Sequence, residues 1–248
     1  MQFLRSLAFN VLAYAGFLIL AILFLPTLLF GRGAVFVAAR TWSRMTLWLL
    51  DRVAGLRLEI RGREHLPAGG CLIASKHQSA LETFGVVPDV GDFAFILKRE
   101  LNWVPVFGWY TSRSGMIGID RRGGSQTLRR LLDPARRAVR EGRRIIIYPE
   151  GTRRPVGARP DYKFGANYLY SVLGVPCVPV AVNTGLFWPR RSFRRLPGTA
   201  VIEFLEPIPP GLDRRSFATE LQNRIETATA RLVEEARAAA ARPVAVTA

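Results

Sequence analysis

Residues 7–30, LAFNVLAYAGFLILAILFLPTLLF, contain no charged side chain. No other feature limits the fold as strongly. An uncharged apolar stretch of this length is stable only inside a large core or in lipid. As one helix at about 1.5 Å per residue it reaches about 36 Å, against about 30 Å of bilayer hydrocarbon. Pro26 is expected to end or kink it near its last turn. A secretory signal would have a shorter apolar core and a small-residue cleavage site. A buried core helix is rarely so uniformly apolar. The stretch is therefore taken as a membrane anchor, either a full span or one limb of a hairpin dipped into a single leaflet. After Gly31-Arg32-Gly33 a second helical pattern mixes Trp42, Met45, Trp48, Leu49 and Leu50 with Arg40, Arg44, Asp51 and Arg52, which suits an interfacial helix with aromatics at headgroup depth. Arg5 alone precedes the run, whereas Arg32, Arg40, Arg44 and Arg52 follow it. The positive-inside bias then places the rest of the chain on the cytoplasmic face of the cytoplasmic membrane.

The chain as a whole is basic, Lys+Arg 35 against Asp+Glu 19, a formal charge of +16. Such a surface favours nucleic acid, an anionic membrane or a phosphorylated substrate. Nucleic-acid binding accounts for the charge but not for the apolar run. Almost every basic residue is arginine, and the lysines are Lys76, Lys98 and Lys163. Cys71 and Cys177 lie in apolar runs, as buried thiols do.

From residue 55 short apolar runs alternate with helical patterns. Strands are expected at Leu58–Ile60, Cys71–Ser75, Phe93–Leu97, Met116–Ile119, Ile145–Tyr148, Cys177–Val182 and Ala200–Leu205. A helical stripe, Leu128, Leu131, Leu132, Ala135 and Val139, falls between the fourth and fifth, with Asp133-Pro134 restarting it and Gly142 stopping it. A last helix is expected from about Arg214 to Ala241. The pattern predicts an α/β fold: a mixed, largely parallel sheet of about seven strands flanked by helices, with an N-terminal membrane-associated helical pair. The division is 1–54 for the anchoring helices, 55–242 for the catalytic domain and 243–248 for a disordered tail.

The chemistry begins with the two histidines. His65 lies before a Pro-Ala-Gly-Gly turn, as a surface loop residue would. His77 ends the apolar run CLIAS and stands among polar residues, with Glu82 five positions on. Five residues of helix turn about 500°, so the two side chains meet only if His77 sits in the turn before the helix or at its start. Glu82 would then bond Nδ1, fix the tautomer and leave Nε2 to take a proton. The bland alternative is a strand-end histidine bonded to backbone. No Gly-x-Ser-x-Gly elbow, His-Glu-x-x-His zinc pattern or Walker loop is present, so a substrate hydroxyl is the group left for His77 to activate. A second cluster, Pro149-Glu150-Gly151-Thr152-Arg153, follows the strand IIIY and offers either an anion cradle or an ordinary turn. A third, Gly115 to Arg122, again delivers arginine to a strand end, with Asp120 free to form a structural ion pair. A fourth, Leu97-Lys98-Arg99-Glu100-Leu101 with Phe107-Gly108-Trp109 beyond it, suits either a membrane-facing access route or a plain interfacial loop.

Together these residues resemble the glycerolipid acyltransferase superfamily, most of all the 1-acylglycerol-3-phosphate acyltransferases. Four blocks stand in the family's order: HQSALE at 77–82, GMIGIDR at 115–121, EGTR at 150–153 and VPVAVN at 178–183. Lys98-Arg99-Glu100-Leu101 and Tyr162-Lys163 resemble intervening features. The resemblance implies that His77 is the general base and Glu82 its acidic partner. It also implies that Arg121 and Arg153 contact the acceptor phosphate, with Glu150, Gly151 and Thr152 shaping that site and Lys98 among the substrate-binding residues. The acceptor would be lysophosphatidic acid, acylated at its sn-2 hydroxyl to phosphatidic acid; a lyso-ornithine lipid or another lysophospholipid is the alternative. The donor would be a thioester of acyl carrier protein or coenzyme A, with no metal or prosthetic group. The first block usually ends in aspartate, so Glu82 is a departure. A catalytically silent lipid-binding protein is the reading from another class.

Overall fold

Seven apolar runs pair into one sheet. The computed structural model describes residues 1–120 and 124–241, with side chains left aside at 124–128. The strands are β1 (Leu56–Arg61), β2 (Leu72–Ser75), β3 (Phe93–Lys98), β4 (Ile117–Ile119), β5 (Arg144–Ile147), β6 (Cys177–Val182) and β7 (Gly198–Phe204), in the spatial order β1-β7-β6-β2-β5-β3-β4. Only the β6–β7 pairing is antiparallel. The α/β sheet expected from the sequence is the one observed.

Burial explains the short, uninterrupted apolar strands. Leu72, Ala74, Ile145 and Ile147 point to one face, under α5 (Gly124–Arg140), α6 (Phe164–Leu173) and α7 (Arg214–Ala241). Ile73, Ile146, Val178 and Val180 point to the other, where Phe36 packs on Phe93 with ring centroids 4.9 Å apart. With both faces covered, every strand position favours an apolar residue. Cys71 and Cys177 are buried, unpaired thiols, and burial pushes Cys71 up to about 11.

The expected restart at Asp133-Pro134 does not occur. Pro134 lies inside a continuous α5. Its ring is exposed and the apolar stripe on the opposite side, Leu131, Ala135 and Ala138, holds the helix to the sheet. Gly142, at φ +74°, ends the segment as foreseen. The helix expected after His77 is α3 (Leu81–Gly85), while α4 (Phe107–Arg113) and α6 went unanticipated. With seven residues, α4 is too short to show a period.

The N-terminal segment forms α1 (Gln2–Leu23) and α2 (Arg32–Leu49), joined by a tight turn over Leu25–Leu29. They run antiparallel. Gly16 lies so close to Met45 that an added Cβ would stand 2.6 Å from its Cε, and Phe17 meets Trp42 at 5.6 Å between ring centroids. Near the start of α1, Gln2 donates to the Ala54 carbonyl (3.1 Å) and Arg5 to that of Val53 (2.8 Å). At its other end, the Tyr110 hydroxyl of α4 donates to the Ala21 carbonyl at 2.9 Å. The two helices and their turn form a helical hairpin packed against the sheet domain. Trp42 is half-buried, against Phe84 with ring centroids 5.5 Å apart, while Trp48 is exposed. The tail from residue 242 and Arg121 lie outside the described residues.

Candidate active site

The carboxyl ends of the parallel strands β6, β2 and β5, adjacent in the sheet, open on one side. Crevices at such ends are where open α/β sheets bind ligands. β2 ends at Ser75, and the chain then runs Lys76-His77-Gln78-Ser79-Ala80 before α3 begins at Leu81. His77 therefore stands before the helix and Glu82 in its first turn. Of the two arrangements in which the pair can meet, this is the one with His77 in the turn before the helix.

They do meet: His77 Nδ1 lies 2.9 Å from Glu82 Oε1. The same oxygen accepts the backbone N–H groups of Gln78 (2.8 Å) and Ser79 (2.7 Å). The Thr184 hydroxyl donates to Oε2 at 2.7 Å. Glu82 is fully buried, and four donors hold its charge there. A carboxylate accepts only, so Nδ1 carries the proton and Nε2 keeps its lone pair. Tyr148, at the end of β5, stacks on the imidazole with ring centroids 3.9 Å apart. Burial first, and then the charge of Glu82, push the Tyr148 phenol up, so it stays neutral.

Behind the histidine lies a buried ionic cluster. Lys76 Nζ meets Glu150 Oε1 at 2.9 Å and Glu226 Oε1, on α7, at 2.7 Å. The Tyr162 hydroxyl donates to Glu226 at 2.8 Å. Glu150 Oε2 accepts the His77 N–H at 3.3 Å, and the His77 carbonyl accepts the Arg154 N–H at 2.7 Å. Glu150 thus faces this cluster and shapes the site from behind. Gly151, Thr152 and Arg153 face the opening. Gly151 holds φ +64°, which turns the chain directly after β5.

In front of His77 is a cavity of about 670 Å³. Its apolar wall includes Phe17 and Leu20 of α1, Phe36 and Trp42 of α2, and Phe95 and Met116 beneath. Its polar end holds His77, Lys98, Thr152, Arg153, Arg190 and Arg191. Lys98 lies 3.4 Å from Glu100, and Asp120 pairs with Arg99 at 3.3 Å. His65 is tied by Nδ1 to the Phe204 carbonyl at 2.8 Å, away from this group.

The motif blocks did not single out Tyr148, Thr184, Arg190 or Arg191 as site residues. Thr184 directly follows the 178–183 block and Tyr148 directly precedes Pro149, so position next to a block was the available signal.

An imidazole with Nε2 unprotonated, lining an apolar cavity together with several cations, has the geometry to activate a hydroxyl on a lipid-like substrate. The comparisons sharpen that class. The family described as Acyltransferase matches residues 57–183. A 1-acyl-sn-glycerol-3-phosphate acyltransferase of Pseudomonas aeruginosa is 36% identical over 200 residues, 80% of this chain and 78% of that protein. The human 1-acyl-sn-glycerol-3-phosphate acyltransferase beta is 35% identical over 158 residues, and this chain spans 57% of its length. The crystal structure of the 1-acyl-sn-glycerophosphate acyltransferase PlsC of Thermotoga maritima superposes with a TM-score of 0.76 at 20% identity, over 92% of this chain and 96% of that one, and shares the fold. The chain belongs to the Acyltransferase family.

Proposed function

We propose that the protein transfers a fatty acyl group from an acyl thioester to the sn-2 hydroxyl of lysophosphatidic acid, making phosphatidic acid. The observation that carries this is the His77–Glu82 pair at the charged end of a cavity walled by the apolar hairpin. The names of the relatives specify the acceptor.

His77 Nε2 takes the hydroxyl proton as the oxygen attacks the thioester carbonyl. Glu82 stabilises the imidazolium that forms. The tetrahedral intermediate collapses, the C–S bond breaks, and the leaving thiolate takes the proton back from Nε2. General-base help of this kind gives about 10²–10⁴-fold. Arg153 and Lys98 hold the acceptor phosphate, Gly151 and Thr152 line its approach, and Arg121 belongs to the same set. Hydroxyl, base and thioester supply all the chemistry, so the reaction calls for no resident metal or prosthetic group. The donor is a thioester of coenzyme A or acyl carrier protein. The hairpin lies in the inner leaflet of the cytoplasmic membrane, with the sheet on the cytoplasmic side.

The test is purified enzyme with defined donors and acceptors, its lipid products identified by mass spectrometry. His77→Ala is expected to abolish transfer while the circular dichroism spectrum is unchanged; near-normal turnover removes the base. Arg153→Ala is expected to raise the acceptor KM; unchanged KM and kcat remove that contact. Preference for lyso-ornithine lipid over the phosphomonoester replaces the acceptor, and binding without transfer replaces the enzyme.

A further inference from the structure

The connection from β6 to β7 brings two arginines to the cavity that none of the motif blocks contains. This loop is firmly held. At its start Gly185 approaches Gln78 and Val156 so closely that a Cβ would stand 2.9 Å from a side-chain carbon of each. Toward its end the Arg195 guanidinium carbon lies 3.7 Å from the centre of the Trp188 ring, and Nη2 donates to Asn10 Oδ1 of α1 at 2.8 Å. At its tip, Arg190 Nη1 donates to the Arg153 carbonyl at 2.9 Å, joining the tip to the Glu-Gly-Thr-Arg turn. Arg191 follows at φ +59°, a left-handed backbone that disfavours any side chain.

Arg153, Arg190 and Arg191 all line the cavity end that holds His77. Among the described residues, none of the three has a carboxylate partner. Arg154, next in the chain, is paired with Asp161 at 2.6 Å. Arg61, Arg143 and Arg231 are likewise paired. Cationic side chains lining one mouth raise the positive potential there, which favours a bound anion. The guanidinium fork matches phosphate oxygens in pairs.

We propose that Arg190 and Arg191 form a phosphate-binding subsite continuous with Arg153 at the mouth of the cavity. The proposal rests on the acyl-transfer function above, which brings two phosphate sources: the phosphomonoester of the acceptor and the phosphates of a coenzyme A donor.

Two measurements test it, on wild type, an Arg190→Gln/Arg191→Gln double variant and Arg191→Gly. In the first, acceptor is varied at saturating acyl-coenzyme A, then donor at saturating lysophosphatidic acid. The double variant is expected to raise KM at least about tenfold in one arm with kcat nearly unchanged, as the loss of a charge-assisted contact does. The arm that moves identifies the source. The second needs no turnover: the thermal midpoint is read with glycerol 3-phosphate and with coenzyme A. One of these is expected to raise the wild-type midpoint and not that of the double variant. Arg191→Gly, freed of its backbone strain, should match or exceed the wild-type midpoint without ligand yet lose the ligand-induced rise. Unchanged KM in both arms overturns the subsite. So does an equal ligand-induced rise in wild type and double variant, or no rise in wild type. If wild type fails to acylate lysophosphatidic acid while the arginine-dependent rise persists, the proposed reaction falls and the subsite stands.

Discussion

At the scale of single residues, position 82 carries glutamate where the family's block usually ends in aspartate. Glu82 sits in the first turn of α3 and reaches back across the preceding turn to His77, Gln78 and Ser79, while its second oxygen takes the Thr184 hydroxyl. The longer side chain spans that reach. Glu82→Gln keeps the shape and loses the charge that stabilises the imidazolium. We expect kcat to fall by about 10²–10⁴-fold with the acceptor KM little changed. Steady-state kinetics beside an unfolding curve checks this, and a kcat near that of wild type would remove Glu82 from the mechanism. The pair was legible in the sequence because the five-residue offset lets the two meet only around a helix start. Thr184 was not, since it follows β6, far along the chain, and only the β2–β6 pairing brings it near.

At the scale of elements, α1 is two things at once. Its composition is that of a membrane helix, with mean hydropathy 2.2 over its best window, and many of its apolar side chains are exposed. Yet Ser6 and Asn10 are buried against the β6–β7 loop. Asn10 Nδ2 donates to the Phe193 carbonyl at 3.2 Å, Asn10 Oδ1 accepts from Arg195, and the Arg195 N–H donates to Ser6 Oγ at 3.0 Å. Asn10→Leu would suit a helix that only sat in lipid. Here it strips partners from a buried guanidinium, so we expect a loss of about 1–3 kcal/mol, read by unfolding in detergent. A gain in stability would mean that the helix is not docked on the loop as described. Asn10 was present in the apolar run and Ser6 directly before it, but a sequence scan for charge passes over both.

For the whole molecule, the hairpin and the sheet share their packing. Phe9, Leu49, Leu50 and Ala54 form one cluster with Leu56, Leu81, Phe84 and Ala200. Phe17, Leu20, Phe36 and Trp42 wall the cavity. A chain beginning at Leu56 would expose the first surface and lack the second wall. We expect it to show no cooperative unfolding transition and no acyl transfer, measured by thermal melting and lipid-product analysis. A folded, active fragment would show that the hairpin only anchors.

The strands, the closing helix and the His77–Glu82 offset were determined locally. Apolar runs bounded by turn residues leave few pairings, and the two side chains can touch only around a helix start. The ordered motif blocks pointed to the family on the same local grounds. Tertiary structure alone decided what surrounds them. Glu150 faces Lys76 and not the cavity, Trp42 packs on Phe84, α1 folds back on the sheet, and Arg190 and Arg191 join Arg153. Each of these depends on a partner far away in the chain, and periodicity and spacing describe only near neighbours.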